Sequence, residues 1–283
     1  MQSEKLSFEH KELLYKRLKN VDTPISEYAF ANVYLFREPH DYEVILDKEI
    51  FLKGKTYDGF SFLMPTIDIR KIDLEYLKGL MKEVDFLFPV SEDWLKIFNR
   101  DEFEFSYNEE DTDYIYTVEK IATFKGRRLH KKRNLLKQFM QLYENEASPF
   151  TEEKMDDAIN ILHQWQEDVG QPVSETDYNQ CMEALKLYDK LSLCGQIYYV
   201  NKEPGGLIMG EELNNETFVF HFAKGKRKFK GLYQYMYNTF SNILPEKYKL
   251  LNLEQDLGKL ALKIAKSSYD PDFMLKKYRV GLK

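Results

Sequence analysis

Residues 217–253 constrain this chain most. Thr217-Phe-Val-Phe-His-Phe-Ala reads as a strand buried on both faces, Lys224-Gly-Lys-Arg-Lys-Phe-Lys-Gly231 as a basic turn, and Leu232-Tyr-Gln-Tyr-Met-Tyr-Asn-Thr-Phe as the start of an amphipathic helix. A second strand, Lys249-Leu-Leu-Asn-Leu, leads into Glu254-Gln-Asp-Leu-Gly258. A strand that hands over to a helix N-terminus within a cluster of cations fits a phosphate-bearing ligand, because the first helical amides and the dipole both favour negative charge.

Charge patterning supports that reading. The chain carries 47 acidic residues and a net charge of −6, so the whole protein is not expected to bind nucleic acid or anionic membrane non-specifically. Yet no acidic residue falls between Lys120 and Tyr143, or between Thr217 and Pro245. The first window holds Arg127, Arg128, Lys131, Lys132 and Arg133, with Arg127/Lys131 and Arg128/Lys132 one helical turn apart. The second holds Lys224, Arg227, Lys228 and Lys230. Like charges so spaced repel one another, and a bound polyanion relieves the repulsion. A solvated helix face and a lysine-rich turn are the plain alternative.

The remaining pattern is that of an α+β protein. A polar helix is expected over 7–20, strands near 42–46, 50–52, 60–65, 85–90 and 113–118, and a helix capped by Asp73. A long basic helix is expected over 125–143, broken by Ser148-Pro149. Helices over 151–168 and 177–191 precede strands near 196–200, 206–212 and 216–223. Helices over 231–244 and 257–267 flank the 250–253 strand, and one last strand lies over 274–280. The two cysteines, Cys181 and Cys194, and the five histidines have no metal-ligand spacing, so no metal is expected. The polar start Met1-Gln-Ser-Glu-Lys lacks the apolar core of a signal peptide, and no apolar run approaches the roughly 18 residues of a membrane span, so a cytoplasmic location is expected.

From residue 217 onward the pattern resembles the GNAT acyltransferase fold, whose Gln/Arg-x-x-Gly-x-Gly/Ala loop holds the pyrophosphate of coenzyme A. Lys228-Phe-Lys-Gly231-Leu-Tyr233 keeps only the first glycine of that loop. It looks more like the Fem-type and lipid aminoacyltransferases, GNAT relatives whose donor is an aminoacyl-tRNA. Asn252-Leu-Glu-Gln-Asp-Leu-Gly258, Leu262-Lys-Ile-Ala-Lys-Ser-Ser-Tyr-Asp-Pro271, Lys276-Lys-Tyr-Arg-Val280, Asp113-Tyr-Ile-Tyr and Gly126-x-x-Leu-His-Lys-Lys-Arg-Asn134 resemble an uncharacterised bacterial family related to the C-terminal domain of phosphatidylglycerol lysyltransferase.

That resemblance implies two tandem GNAT-like (acyl-CoA N-acyltransferase-like) domains of mixed sheets flanked by helices. They are placed at 1–124 and 151–283, with a basic linking helix at 125–150. It implies transfer of an acyl group, from aminoacyl-tRNA, to an amine or hydroxyl of a lipid or peptide. The donor is a substrate, and no cofactor is permanently held. Acyl-CoA is the alternative donor, and a non-catalytic RNA- or anion-binding module the alternative class. Acyl transfer needs a base for the acceptor, donors for the oxyanion and an acid for the leaving group. The candidates for proton handling and acceptor binding are Glu254, Asp256 and Tyr269. Phosphates would be held by Lys224, Arg227, Lys228, Lys230 and the amides near Gly231. A longer polyanion, tRNA, would lie on Arg127, Arg128, Lys131, Lys132 and Arg133.

Overall fold

The computed structural model describes residues 2–283; Met1, the first residue of the polar start, lies outside them. In chain order the elements are β1 (Gln2–Lys5), α1 (Lys11–Lys19), α2 (Phe30–Leu35), β2 (Glu43–Leu46), β3 (Ile50–Lys55), β4 (Ser61–Pro65), α3 (Leu74–Met81), β5 (Phe86–Val90), β6 (Phe103–Tyr107) and β7 (Asp113–Thr117). There follow α4 (Val118–Thr123), α5 (His130–Leu142), β8 (Asn145–Pro149), α6 (Met155–Val169), α7 (Tyr178–Lys186), β9 (Cys194–Val200), β10 (Glu203–Glu212) and β11 (Thr217–Gly225). The chain closes with α8 (Leu232–Ile243), β12 (Leu250–Asn252), α9 (Leu260–Ser267), β13 (Phe273–Leu275) and β14 (Tyr278–Leu282).

The strands form two seven-stranded sheets, ordered β1-β2-β3-β4-β5-β14-β6 and β13-β7-β12-β11-β10-β9-β8. Each contains the same motif. In the first, the antiparallel run β2-β3-β4 passes through α3 to β5, which pairs parallel with β4. In the second, the antiparallel run β9-β10-β11 passes through α8 to β12, which pairs parallel with β11. In each sheet the next strand comes from the other half of the sequence: β14 lies antiparallel to β5, and β7 antiparallel to β12.

The chain accordingly divides into two compact units. Unit 1 comprises residues 1–114, 254–264 and 274–283; unit 2 comprises 115–253 and 265–273. The expected boundaries at 124 and 150 are not those the contacts make. A linear reading had no means of seeing that β7 completes the second sheet and β14 the first, because that pairing joins residues more than a hundred positions apart.

Local chemistry explains most elements. Asp73 accepts from the Tyr76 amide and caps α3, whose Leu77, Leu80 and Met81 enter the core of unit 1. Gly170 ends α6 in the left-handed conformation. β11 is buried along nearly its whole length, as a central strand must be. Leu232, Tyr235, Met236 and Phe240 form the buried stripe of α8 over it.

Three expectations fail. The helix expected over 125–143 begins only at His130, because Phe124 and Gly126 both take positive φ and turn the chain after α4. Ser148-Pro149, expected only to break the helix, ends an edge strand that the sequence reading did not place, β8; Pro149 is its last residue, where a missing amide is tolerated. The strand expected over 274–280 is two strands, β13 and β14, in different sheets.

Candidate functional site

In unit 2 the pairing of β11 with β12 covers only Thr217–Leu250, Phe218–Leu251 and Val219–Asn252. β12 then ends, while β11 runs on to Gly225. The sheet therefore opens into a wedge along Phe220–Gly225. Phe220 stacks on Tyr237, 5.9 Å between ring centroids, and Tyr237 meets Tyr269 edge-on at 5.3 Å. Tyr269 is buried, and its hydroxyl accepts from Gln234 Nε2 at 2.8 Å. Burial, above all, raises its pKa well above the ordinary value, so the hydroxyl keeps its proton at neutral pH. Lys132 lies over the Tyr269 ring, 3.8 Å from the centroid, and donates to Ser268 Oγ. Burial pushes its ammonium down to about 8.

His221 is buried in β11; its Nε2 lies 3.0 Å from Glu211 Oε1, and both side chains are shielded from solvent. Sequence reasoning missed Glu211. It sits in β10, a strand buried along most of its length, where the neighbouring β11, carrying His221, supplies the reason for a buried carboxylate.

The basic turn behaves differently from its expectation. Lys224 is buried, donates to both oxygens of Asp177 at 2.6 and 2.8 Å, and lies 3.7 Å from the Trp165 ring centroid. Lys226 and Lys228 both bind Glu203. Two carboxylates, Asp177 and the shared Glu203, thus already partner three of these lysines. Arg227 and Lys230 are exposed, with no ion pair among the described residues.

Gly231 caps α8 at φ +88°, and a Cβ there would lie 2.5 Å from the Leu135 carbonyl oxygen and 3.0 Å from Phe139 Cβ. The glycine makes room for α5, whose Leu135 carbonyl lies against the start of α8, where a phosphate was expected. Gly231→Ala is expected to destabilise the protein by about 1–3 kcal/mol, from the left-handed backbone and the contact together, as read by the urea midpoint.

The cations at 127–133 also divide, and Arg127 and Arg128 precede α5 instead of standing one helical turn from Lys131 and Lys132 as expected. Arg128 pairs with Asp270, and Arg133 donates to the carbonyls of Phe124 and Gly126. Arg127 and Lys131 remain exposed, with no ion pair among the described residues.

In unit 1 the loop after β12 carries Glu254 and Asp256. Glu254 takes φ +57° and Leu257 φ +56°, uncommon for residues with a Cβ. Glu254 Oε1 accepts from Asn32 Nδ2 at 2.8 Å. Asp256 is buried, accepting from Tyr114 Oη at 2.6 Å and from the Gly258 amide at 2.9 Å. Asp256 helps to line a cavity of about 480 Å³ together with Asp58, Tyr107, Glu110, Lys263 and Arg279. Asp256 closes a turn through the Gly258 amide and does not cap α9, which begins four residues later, at Leu260. Of the three proton-handling candidates, Glu254 and Asp256 thus belong to unit 1 and Tyr269 to unit 2.

Sequence reasoning also missed the buried ion cluster of unit 1. Lys277 Nζ, fully buried, contacts Glu27 Oε1 at 2.6 Å, Asp113 Oδ1 at 2.9 Å and Gln255 Oε1 at 3.1 Å. Asp113 also accepts from the amide and hydroxyl of Ser26. Only the fold joins these residues, which are up to 250 positions apart. Among the described residues no group of His, Cys, Asp or Glu is arranged to hold a metal, and no helix is long and apolar enough to cross a membrane.

Comparison with known proteins supplies the fold's relatives. A conserved protein of unknown function from Bacteroides thetaiotaomicron is similar over the full length of both chains, at 24% identity and a TM-score of 0.88. L-PGS from Bacillus licheniformis is similar over 91% of this chain and 92% of its own, at 13% identity and a TM-score of 0.57. FemX is similar over 100% of this chain and 98% of its own, at 8% identity and a TM-score of 0.62. The fold is α+β, two GNAT-like units in tandem, of the Fem type. The family model described as "Phosphatidylglycerol lysyltransferase, C-terminal" matches residues 18–281, nearly the whole chain, and the chain therefore belongs to that family.

Proposed function

We propose that this protein is an acyltransferase that moves an aminoacyl group from aminoacyl-tRNA to an amine or hydroxyl acceptor on a lipid or peptide. The observation that carries the acyl-transfer reading is the wedge between β11 and β12, where one strand continues past the end of its parallel neighbour. Such an opening lets main-chain donors of the longer strand meet an acyl carbonyl instead of a neighbouring strand. In the transfer, the acceptor's nitrogen or oxygen bonds to the ester carbon and loses a proton. The ester C–O bond then breaks, and the tRNA 3′ oxygen leaves with a proton. Tyr269, protonated at neutral pH, is the group of unit 2 suited to supply it. Glu254 and Asp256, on the loop after β12, are suited to take the acceptor's proton or to hold a cationic acceptor or aminoacyl group.

The choice of donor rests on α5. Its Leu135 carbonyl stands where Gly231 would otherwise offer its helix end to a pyrophosphate, which disfavours coenzyme A. Arg127, Lys131, Arg227 and Lys230 are the cations suited to a polyanion; Lys224 and Lys228 already have carboxylate partners.

Binding of charged tRNA is expected to weaken steeply with salt. Arg127→Ala and Lys131→Ala should each reduce the slope of log affinity against log salt by about 1 if each neutralises one phosphate. Titrations at several salt concentrations read this directly. Binding of acetyl-coenzyme A without tRNA binding would overturn the donor assignment.

A further inference from the structure

α9 is unlike every other α-helix of the chain. Among the described residues it alone buries no side chain. Leu260 and Ile264 are 69% and 61% exposed, and Leu262 is 38% exposed. An eight-residue helix has little stability of its own in water, and leaving three large aliphatic side chains in solvent adds none. The helix is also strongly two-faced. Leu260, Ala261, Ile264 and Ala265 share one broad arc, which Leu262 extends. Lys259, Lys263 and Lys266 recur at i, i+4 and i+7 on the other side, and no acidic residue occurs from Leu257 to Tyr269.

An exposed apolar arc needs an occupant, and the lysines beside it select one. Anionic lipid headgroups above an acyl layer satisfy both halves of such a helix. The aliphatic side chains enter the acyl boundary, while the lysine stems lie along it and lift their ammonium groups to the phosphates. A chain of net charge −6 is repelled on average by an anionic surface, so contact must be made where charge is locally positive. We propose that α9 is an interfacial helix that docks this chain on an anionic membrane surface, with Leu260 and Ile264 inserted and Lys259 and Lys263 at headgroup level. The inference concerns where the chain sits, not what it transfers, and it stands or falls apart from the acyl-transfer reading.

The test is sedimentation of the full chain with vesicles of phosphatidylcholine alone and of phosphatidylcholine mixed with phosphatidylserine. The serine lipid separates surface attraction from recognition of a particular acceptor. The bound fraction is expected to be several-fold higher on the anionic vesicles and to fall with added salt. The double variant Leu260→Asp, Ile264→Asp should lower it by about tenfold or more. Both positions are exposed, so an unchanged thermal melt shows that the variant still folds. No sedimentation with anionic vesicles, or sedimentation indifferent to the double variant, overturns the proposal. So does light scattering that finds a dimer which the double variant dissociates, since a second copy would then cover the helix.

Discussion

Replacing Lys277 by Met is expected to lower stability by about 3–5 kcal/mol at neutral pH, because it leaves Glu27 and Asp113 as buried carboxylates without their cation. The intact cluster holds two acids against one base. Burial, opposed by the Lys277 ammonium and reinforced by the Asp113 carboxylate, pushes the Glu27 carboxyl up to about 7. Burial also works against the Lys277 ammonium, but Asp113 and Glu27 outweigh it and hold its pKa above the ordinary value. The folded state therefore binds the Glu27 proton more tightly than the unfolded chain, where the group titrates near 4.5. The resulting stabilisation is complete below about pH 4.5 and is lost as pH rises through about 7. Urea midpoints from pH 5 to 8 should fall with rising pH, and Glu27→Gln should flatten that dependence while sparing the Lys277–Asp113 pair. The cost of Lys277→Met should shrink at pH 5, where Glu27 takes up its proton.

Glu254→Gln should reduce aminoacyl transfer by about 10²- to 10⁴-fold with little change in urea midpoint. Gln keeps an oxygen for Asn32 Nδ2 and much the same shape, so the substitution removes charge and basicity while the hydrogen bond survives. The carboxylate stands on a left-handed backbone at φ +57°, a conformation that glycine would adopt more readily. That the position carries Glu is consistent with a demand on the side chain. Asp256→Asn gives a contrasting case. Asp256 accepts a buried tyrosine hydroxyl and a turn amide, so its amide variant should lower stability as well as turnover. Rates and urea midpoints measured on both variants separate the two residues. A full rate with Glu254→Gln would remove Glu254 from the proton-handling set.

The strand, turn and helix at 217–243 were legible because their signals are local: apolar residues on both faces of β11, glycine at Gly231 and a 3.6-residue stripe on α8. The basic windows were equally legible as charge, but not as binding surface. A lysine's sequence neighbours do not reveal the carboxylate that reaches it from elsewhere. Asp177 reaches Lys224 across 47 positions, and Glu203 reaches Lys228 across 25. Of the candidate cations, Arg127, Lys131, Arg227 and Lys230 are exposed and carry no ion pair among the described residues.

The sequence by itself determined the secondary structure around both parallel strand pairs, the α+β class and the family, since periodicity, caps and motif residues act over a few positions. Tertiary structure decided which strands complete which sheet, which charges are already neutralised, why Gly231 must be glycine and that α9 buries nothing. Each of these turns on residues or segments far apart in the chain, where pairing and burial depend on the folded backbone and leave no periodic trace in the sequence.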